Sequence, residues 1–319
     1  MKALVTGCAG FIGSHLTESL LEHGAEVLGV DCFNDNYGRS QKLRNLELAQ
    51  DWDGFEFVPI DLARGALEDL VEDCDQIFHL AAEPGVRPSW GSRFELYVRN
   101  NVLATQHLLE AVKGSSGKRF VYASSSSVYG DAEQLPTAES AVPAPFSPYG
   151  LTKLSGEHLC RVYHANYGLD AVSLRYFTVF GPRQRPDMAF QILCAAVLAD
   201  QTFEIYGDGE QTRDFTYVSD TVAATMAAGS AHGVSGRTFN IGGGSRISLN
   251  EAVAALGEIA GREPRVVRRP VQRGDVRDTG ADIEAARTAL HYRPSVSPID
   301  GIASQWAWFV EHAGRQPVQ

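Results

Sequence analysis

The chain has 319 residues, 44 % hydrophobic and 21 % charged, which is the composition of a globular protein of two domains or one large α/β unit and excludes a disordered chain. Its 28 basic and 39 acidic residues give a formal net charge of −11, which argues against a nucleic-acid partner, because phosphate neutralisation needs a net basic footprint. Five scattered cysteines without a CxxC pair point to a reducing, cytoplasmic setting, and no stretch reaches the roughly 18 apolar residues of a membrane span, so no membrane partner is expected.

Residues 2–6 read as a β-strand. Residues 14–21 read as a helix, with Leu16, Leu20 and Leu21 at helical spacing. Gly7-Cys8-Ala9-Gly10-Phe11-Ile12-Gly13 joins them. Gly7 permits a tight turn, Gly10 lets backbone approach a pyrophosphate, and Gly13 lets the helix lie against the strand. Phosphates would then meet the free N–H groups at the helix start. The spacing is GxxGxxG, and a plain tight turn has the same signature. Context favours the nucleotide reading. Residues 25–30 form a second strand ending at Asp31, 18 residues after Gly13. A carboxylate there accepts both hydroxyls of an adenosine ribose and repels a 2′-phosphate, so NAD is expected over NADP. The bland reading of Asp31 is a strand-end turn residue.

Further strands follow at 55–60, before Asp61-Leu62, at 76–80, before Ala81-Ala82, and at 119–123, before Ser124, with a long helix over 98–112. This alternation predicts a doubly wound α/β fold, a Rossmann-type parallel sheet covered on both faces. Ligands lie at the carboxyl ends of such strands, where Asp61, Ala81, Ala82 and Ser124 stand.

Ser124-Ser125-Ser126-Ser127-Val128-Tyr129-Gly130 leaves the 119–123 strand, and Ser147-Pro148-Tyr149-Gly150-Leu151-Thr152-Lys153 opens a helix. Ser147 suits an N-cap and Pro148 a first helical position. Tyr149 and Lys153, four apart, share a face. A free tyrosine ionises at about 10, so bringing it towards 7 needs roughly 4 kcal/mol of preference for phenolate. A lysine ammonium, the positive helix end and an oxidised nicotinamide together supply this. Tyr149 is then a base for an alcohol proton, Lys153 its electrostatic partner and Ser125 a bridging hydroxyl. His79, His107 and His158 stand at no metal-ligand spacing and read as core or surface histidines, so no metal is expected.

At these residues the chain resembles the extended short-chain dehydrogenase/reductase superfamily, of the nucleotide-sugar epimerase and dehydratase type. The resemblance runs along nearly the whole chain. It is carried by Thr6 to Gly13, His79-Leu80-Ala81-Ala82, Asn101-Val102, the serine run, Tyr149-x-x-x-Lys153, Arg175 to Pro182, Gln211 to Asp220 and Phe239-Asn240-Ile241-Gly242. It implies bound NAD, held by Gly7, Gly10, Phe11, Ile12, Gly13, Asp31, Asn34, Asp61, Leu62, Leu80, Ala81, Ala82, Asn101, Ser124, Tyr149, Lys153 and Tyr176. Members that dehydrate a 4-keto sugar carry Asp-Glu where Ser126 and Ser127 stand, and uronate decarboxylases carry Glu at the position of Ser127. Serine lacks the pKa and charge for either task. Oxidation and re-reduction at C4 of a UDP-sugar remains, an epimerisation.

Gly181-Pro182-Arg183-Gln184-Arg185-Pro186-Asp187-Met188-Ala189, with Thr178 before it, is most similar to UDP-glucuronate 4-epimerases. Asp31 to Tyr37 and Ala81 to Arg87 lean the same way. Pro84 stands where UDP-galactose-type members often carry lysine. The resemblance assigns to the substrate Pro84, Arg87, Ser125, Ser126, Ser127, Tyr149, Thr178, Arg185, Met188, Ala189, Arg213 on phosphate, Gln272 and Asp275 on the uridine ribose. Tyr206 frames the uracil or is plain strand and turn. A 4-keto uronate loses CO₂ readily unless its carboxylate is held near the carbonyl plane, a task for the hydroxyls of Ser126, Ser127 and Thr178. The alternatives are a UDP-glucose or UDP-N-acetylglucosamine 4-epimerase, a UDP-glucuronate decarboxylase, and a non-catalytic NAD-binding regulator. The presence of Tyr149, Lys153 and Ser125 argues against the last. The expected NAD-binding Rossmann domain spans 1–176 and recruits about 214–245. The smaller α/β substrate domain takes 177–213 and 246–319, with helices over 281–290 and 299–310. By resemblance the chain forms a homodimer through helices near 93–113 and 149–167.

Overall fold

A computed structural model describes residues 1–272 and 274–313. Seven parallel strands form its main sheet. From one edge to the other they are Thr238–Ile241, Asp170–Tyr176, Arg119–Ser125, Gln76–His79, Lys2–Thr6, Glu26–Asp31 and Phe55–Pro59. The chain order reverses between Lys2–Thr6 and Gln76–His79. That is the crevice where open α/β sheets receive ligands.

Alternation along each strand sends side chains to opposite faces. Ala3, Val5, Val27 and Val121 pack with Leu16 and Leu20 of the Phe11–Glu22 helix and Val222 and Ala228 of the Val218–Ser230 helix. Leu4, Leu28, Ile77 and Phe120 pack on the other face with Leu108, Val112, Cys160 and Tyr163. Both faces are therefore dry, as parallel sheets require.

A separate apolar cluster, with Phe180, Phe190, Leu193, Phe203, Leu256 and Phe309, joins the helices Ala189–Leu198, Leu249–Ala260 and Pro298–His312. A parallel pair, Thr202–Tyr206 with Arg265–Arg269, lies beside them. Among the described residues no helix is long and apolar enough to cross a membrane.

The helix expected over 14–21 is Phe11–Glu22 and the strand expected over 119–123 is Arg119–Ser125, and three further elements differ from expectation for local reasons. Helical winding starts at Phe94, and Val98–Leu103 is a π-turn before Ala104–Val112. A π-turn inserts a residue and rotates the helix face. Here it accompanies an inward Asn101, whose Nδ2 donates to Glu83 O and Thr152 Oγ1, both at 3.0 Å. The helix expected over 281–290 is only Glu284–Ala289, because Ala281 bridges to Thr137 and Asp282 N donates to Thr137 O at 2.9 Å. Pro298–His312 is longer than expected, with Ser297 Oγ accepting from Asp300 N at its start.

Candidate active site

The glycine turn is built on backbone proximity. Gly7 has φ 72°, and a Cβ there would lie 2.9 Å from Ala81 N. A Cβ on Gly13 would lie 2.1 Å from Gly7 O. Gly10 N donates to Gly7 O at 2.9 Å. Gly10 caps the Phe11–Glu22 helix with no side-chain hydrogen bond, so the first-turn N–H groups stay open to an anion.

The turn forms one end of a deep cleft along the strand ends. Every cofactor residue expected from sequence lines this cleft except Asn101. Asn101 is buried on Glu83 and Thr152, and its neighbour Asn100 faces the cleft instead. Asp31 accepts from Phe33 N at 2.7 Å. Burial pushes its carboxyl up, and Lys42, with Nζ 3.9 Å away, opposes that shift. Lys42 is itself buried and donates to Asn34 O at 2.9 Å and to Asn34 Oδ1. Asp61 accepts from Ala63 N at 3.0 Å and from Arg99. Asn36, Tyr37 and Lys42 line the cleft and were not anticipated. The signal was present for Lys42, since an ammonium one helical turn into Arg39–Gln50 lies near the end of the Asp31 strand.

Ser147 Oγ accepts from Gly150 N at 3.1 Å and Pro148 opens the Pro148–Tyr167 helix, which sets Tyr149 in its first turn. A Cβ on Gly150 would lie 2.4 Å from Ser127 O, so this glycine lets the serine turn sit against the helix. Ser125 caps the single turn Ser126–Val128. Its Oγ accepts from Ser127 N and donates to Ser127 Oγ, both at 3.1 Å. Ser125 stands close enough to Tyr149 to favour its ionised form. Lys153 is buried with Nζ 4.8 Å from the centre of the Tyr122 ring.

Burial dominates the electrostatics. It pushes the Tyr149 phenol up, against the opposing effects of Ser125 and the Arg185 charge. It pushes the Lys153 ammonium down to about 8, against the opposing charge of Glu157. Burial thus opposes the charged form of both side chains.

The expected substrate residues fall into two groups, and of the first only Pro84, Tyr149 and Arg185 belong to the cleft lining, while Ser125, Ser126, Ser127, Thr178, Met188 and Ala189 do not. The serine turn stands beside Tyr149. Arg185 donates to Asp187 from Nε and Nη2, both at 3.0 Å. Met188 caps the Ala189–Leu198 helix, and its N–H donates to Arg185 O at 3.1 Å. Thr178 O accepts from Thr216 N at 2.9 Å, which pairs the two short strands after Tyr176. The second group gathers outside that lining. Arg87 Nη2 lies 2.7 Å from Asp275 Oδ2, and the Arg87 guanidinium stacks 4.5 Å above the Tyr206 ring. Arg213 donates to the carbonyls of Thr212, Val276 and Arg277. Asp275 N donates to Gln272 O at 3.4 Å, and Arg273 lies outside the described residues. Arg213 thus braces the 276–277 backbone, an attachment that the phosphate reading of this residue did not anticipate.

His79 is buried, bonded to Thr6 Oγ1 at 2.8 Å and Thr105 Oγ1 at 2.9 Å, and His107 is bonded to Leu62 O at 3.2 Å. Among the described residues no three His, Cys, Asp or Glu side chains gather at metal-binding distance.

Comparison with known proteins agrees with this geometry. The NAD dependent epimerase/dehydratase family matches residues 3–242. A Bacillus subtilis (strain 168) protein, named as an uncharacterized UDP-glucose epimerase, is 46 % identical over 97 % of this chain and 98 % of its own. The UDP-glucuronate 4-epimerase of Thermodesulfobacterium geofontis (strain OPF15) is 37 % identical over 97 % of this chain and 96 % of its own. The crystal structure of a Bacillus cereus UDP-glucuronic acid 4-epimerase with UDP-glucuronic acid and NAD superposes with a TM-score of 0.95. That pair is 44 % identical, covering 98 % of this chain and 99 % of the other.

Proposed function

The chain belongs to the NAD-dependent epimerase/dehydratase family and is an NAD-dependent UDP-sugar 4-epimerase, and from that premise we propose that its substrate is UDP-glucuronate, converted to UDP-galacturonate. The observation that carries the choice of sugar is Arg185. Its guanidinium lines the cleft with Tyr149 and acts on the Tyr149 charge, while the serine turn beside them offers hydroxyls and no acid. A guanidinium at that place, exchanging its pair with Asp187 for the ligand, favours an anionic sugar.

The residues present fit the dinucleotide. The glycine cradle has no room for a Cβ at Gly7 or Gly13, and Asn36, a residue of the cleft lining, has a buried Oδ1 without a hydrogen-bond partner among the described residues. The open N–H groups at Phe11 to Gly13 would hold the pyrophosphate and Asp31 the adenosine ribose. When bound, NAD would supply the two-electron acceptor for oxidation at C4 and, in its reduced form, the donor for the return, and its ring charge would favour ionised Tyr149.

The chain's own residues then handle the proton. Tyr149 takes the 4-hydroxyl proton with Ser125 as the bridge, and Lys153 stabilises the phenolate from the same helical face. The 4-keto sugar presents its other face, and Tyr149 returns the proton to O4 as the ketone is reduced to the inverted alcohol. Ser126, Ser127 and Thr178 hold the carboxylate near the carbonyl plane, where the bond to CO₂ cannot overlap the carbonyl π system. Arg87, Tyr206, Arg213, Gln272 and Asp275 bind the UDP portion, and Arg87 exchanges its ion pair with Asp275 for the ligand. Met188 and Ala189 frame the sugar end.

A second reading, UDP-glucose as substrate, has in its favour the name carried by the Bacillus subtilis relative. Incubation with each UDP-sugar and chromatography of the products separates the two.

The division of labour proposed from sequence rests on two contacts. Thr238–Ile241 pairs in parallel with Asp170–Tyr176, and Val218–Ser230 packs against Phe11–Glu22, which supports assigning 214–245 to the NAD unit. Exposed Phe94, Val98 and Leu103 on one helical segment and Leu151, Val162 and Tyr167 on the other support a homodimer through those helices, testable by sedimentation.

A further inference from the structure

Behind the proposed catalytic face lies a buried charge pair that the mechanism above does not use. Glu157 stands one turn after Lys153 in the Pro148–Tyr167 helix, and both are buried. Its Oε1 accepts from Ser124 Oγ at 2.5 Å and from Arg175 Nε at 2.9 Å. Its Oε2 accepts from Arg175 Nη2 at 2.7 Å. Arg175 also donates from Nη1 to Tyr129 Oη at 2.7 Å, and Tyr129 Oη donates to Asn240 Oδ1 at 2.7 Å. The bidentate pair thus ties the helix to the ends of three strands. It also stands between two cavities. Ser124 and Lys153 line the cofactor cleft, whereas Glu157, Arg175 and Cys160 line a second cavity on the far side.

We propose that Glu157, clamped by Arg175, is a positioning residue that holds Ser124 at the strand end and sets its carboxylate one helical turn from Lys153, the proposed partner of Tyr149. This rests on the reading of Tyr149 and Lys153 given above. The titratable groups that bear on Lys153 are Glu157 and Cys160 of its own helix; His79 of Gln76–His79 feels the Lys153 charge, the Tyr122 ring of Arg119–Ser125 lies 4.8 Å from Nζ, and Tyr149, one turn earlier, is its proposed partner. Glu157 is the one carboxylate among them. Burial lowers Lys153 and Glu157 opposes it, so loss of the Glu157 charge makes the ammonium give up its proton at lower pH.

Removing one partner alone leaves a buried unpaired charge, which endangers folding, whereas a neutral pair of the same shape is tolerated. The test therefore uses Glu157→Gln/Arg175→Gln, with Glu157→Asp and Lys153→Met beside it. Turnover of UDP-glucuronate is measured against pH in NAD-loaded protein. The double variant is expected to lose about tenfold in kcat, with KM nearly unchanged and the alkaline limb about one pH unit lower. Glu157→Asp keeps the anion, so its alkaline limb stays at the wild-type position. A double variant with wild-type kcat and alkaline limb, or a Glu157→Asp limb displaced like that of the double variant, overturns the proposal. Wild-type turnover in Lys153→Met instead overturns the reading of the site itself, and so tells the two failures apart.

Discussion

Replacing Gly13 by alanine puts a methyl group where the phosphate turn has no room. The added carbon would stand 2.1 Å from Gly7 O, 2.8 Å from Gly7 C and 3.1 Å from Cys8 Cα, and real Cβ contacts essentially never fall below 3.0 Å. The obstacle is backbone, so no side chain can swing away. The helix start or the Gly7 carbonyl must retreat by at least about 0.9 Å to relieve the contact. Gly10 N donates to that same carbonyl, so retreat re-aims the N–H groups proposed to hold the pyrophosphate. Overpacking of this kind costs about 1–3 kcal/mol, and if that strain is relieved at the turn, NAD affinity falls by about 5- to 150-fold. Titration calorimetry with NAD reads the change, and circular dichroism checks the fold. Gly24→Ala is the control. Gly24 has φ 78° with open space around its Cβ, so alanine there costs about 1 kcal/mol of stability and leaves the cleft intact. A folded Gly13→Ala protein that binds NAD as the wild type does would refute the assignment of this turn to the pyrophosphate.

Tyr149→Phe removes the proposed proton acceptor, so turnover should fall by about 10²–10⁴-fold while NAD stays bound. Product formation and NAD content measured on the same sample check this, and retained turnover sinks the proton-transfer scheme. Thr178→Ala and Ser127→Ala loosen the proposed hold on the carboxylate, so the ratio of UDP-pentose to epimer should rise. Unchanged product ratios in both variants count against that hold. His79 is fully buried, and burial lowers its pKa to about 3. The unfolded chain takes up a proton there below about 6.5 while the folded chain does not, so stability is lost as pH falls from about 6.5 towards 3, at about 1.4 kcal/mol per pH unit. Thermal melts across that window should show a shallower decline for His79→Gln, and an unchanged slope contradicts the assignment.

The parts of the site that sequence made legible are those coded locally. Glycines, a strand-end carboxylate and a Ser-Pro-Tyr helix start each act through their own backbone, so Gly7 to Gly13, Asp31 and Tyr149 meet in one cleft as the strand order requires. Residues whose placement depends on distant partners were not legible in the same way. Asn101 turns away from the cleft because a π-turn, which leaves no simple trace in composition, rotates it onto Glu83. Glu157 at four residues from Lys153 looks like an exposed helix face, and only Arg175, on a neighbouring strand, makes its burial tolerable. Gly150 looks like a weak point in a helix until Ser127 O is found against it. The ion pair of Arg87 with Asp275 joins residues far apart in the chain, so their meeting beside Tyr206 was visible only by resemblance.

The most direct test of the account gives NAD-loaded protein UDP-glucuronate and UDP-glucose in separate incubations and resolves the products by chromatography. The account predicts conversion of UDP-glucuronate to UDP-galacturonate with little UDP-pentose, at a kcat/KM well above that for UDP-glucose. Epimerisation of UDP-glucose alone would contradict the proposed substrate, and no epimer from either sugar would contradict the proposed chemistry.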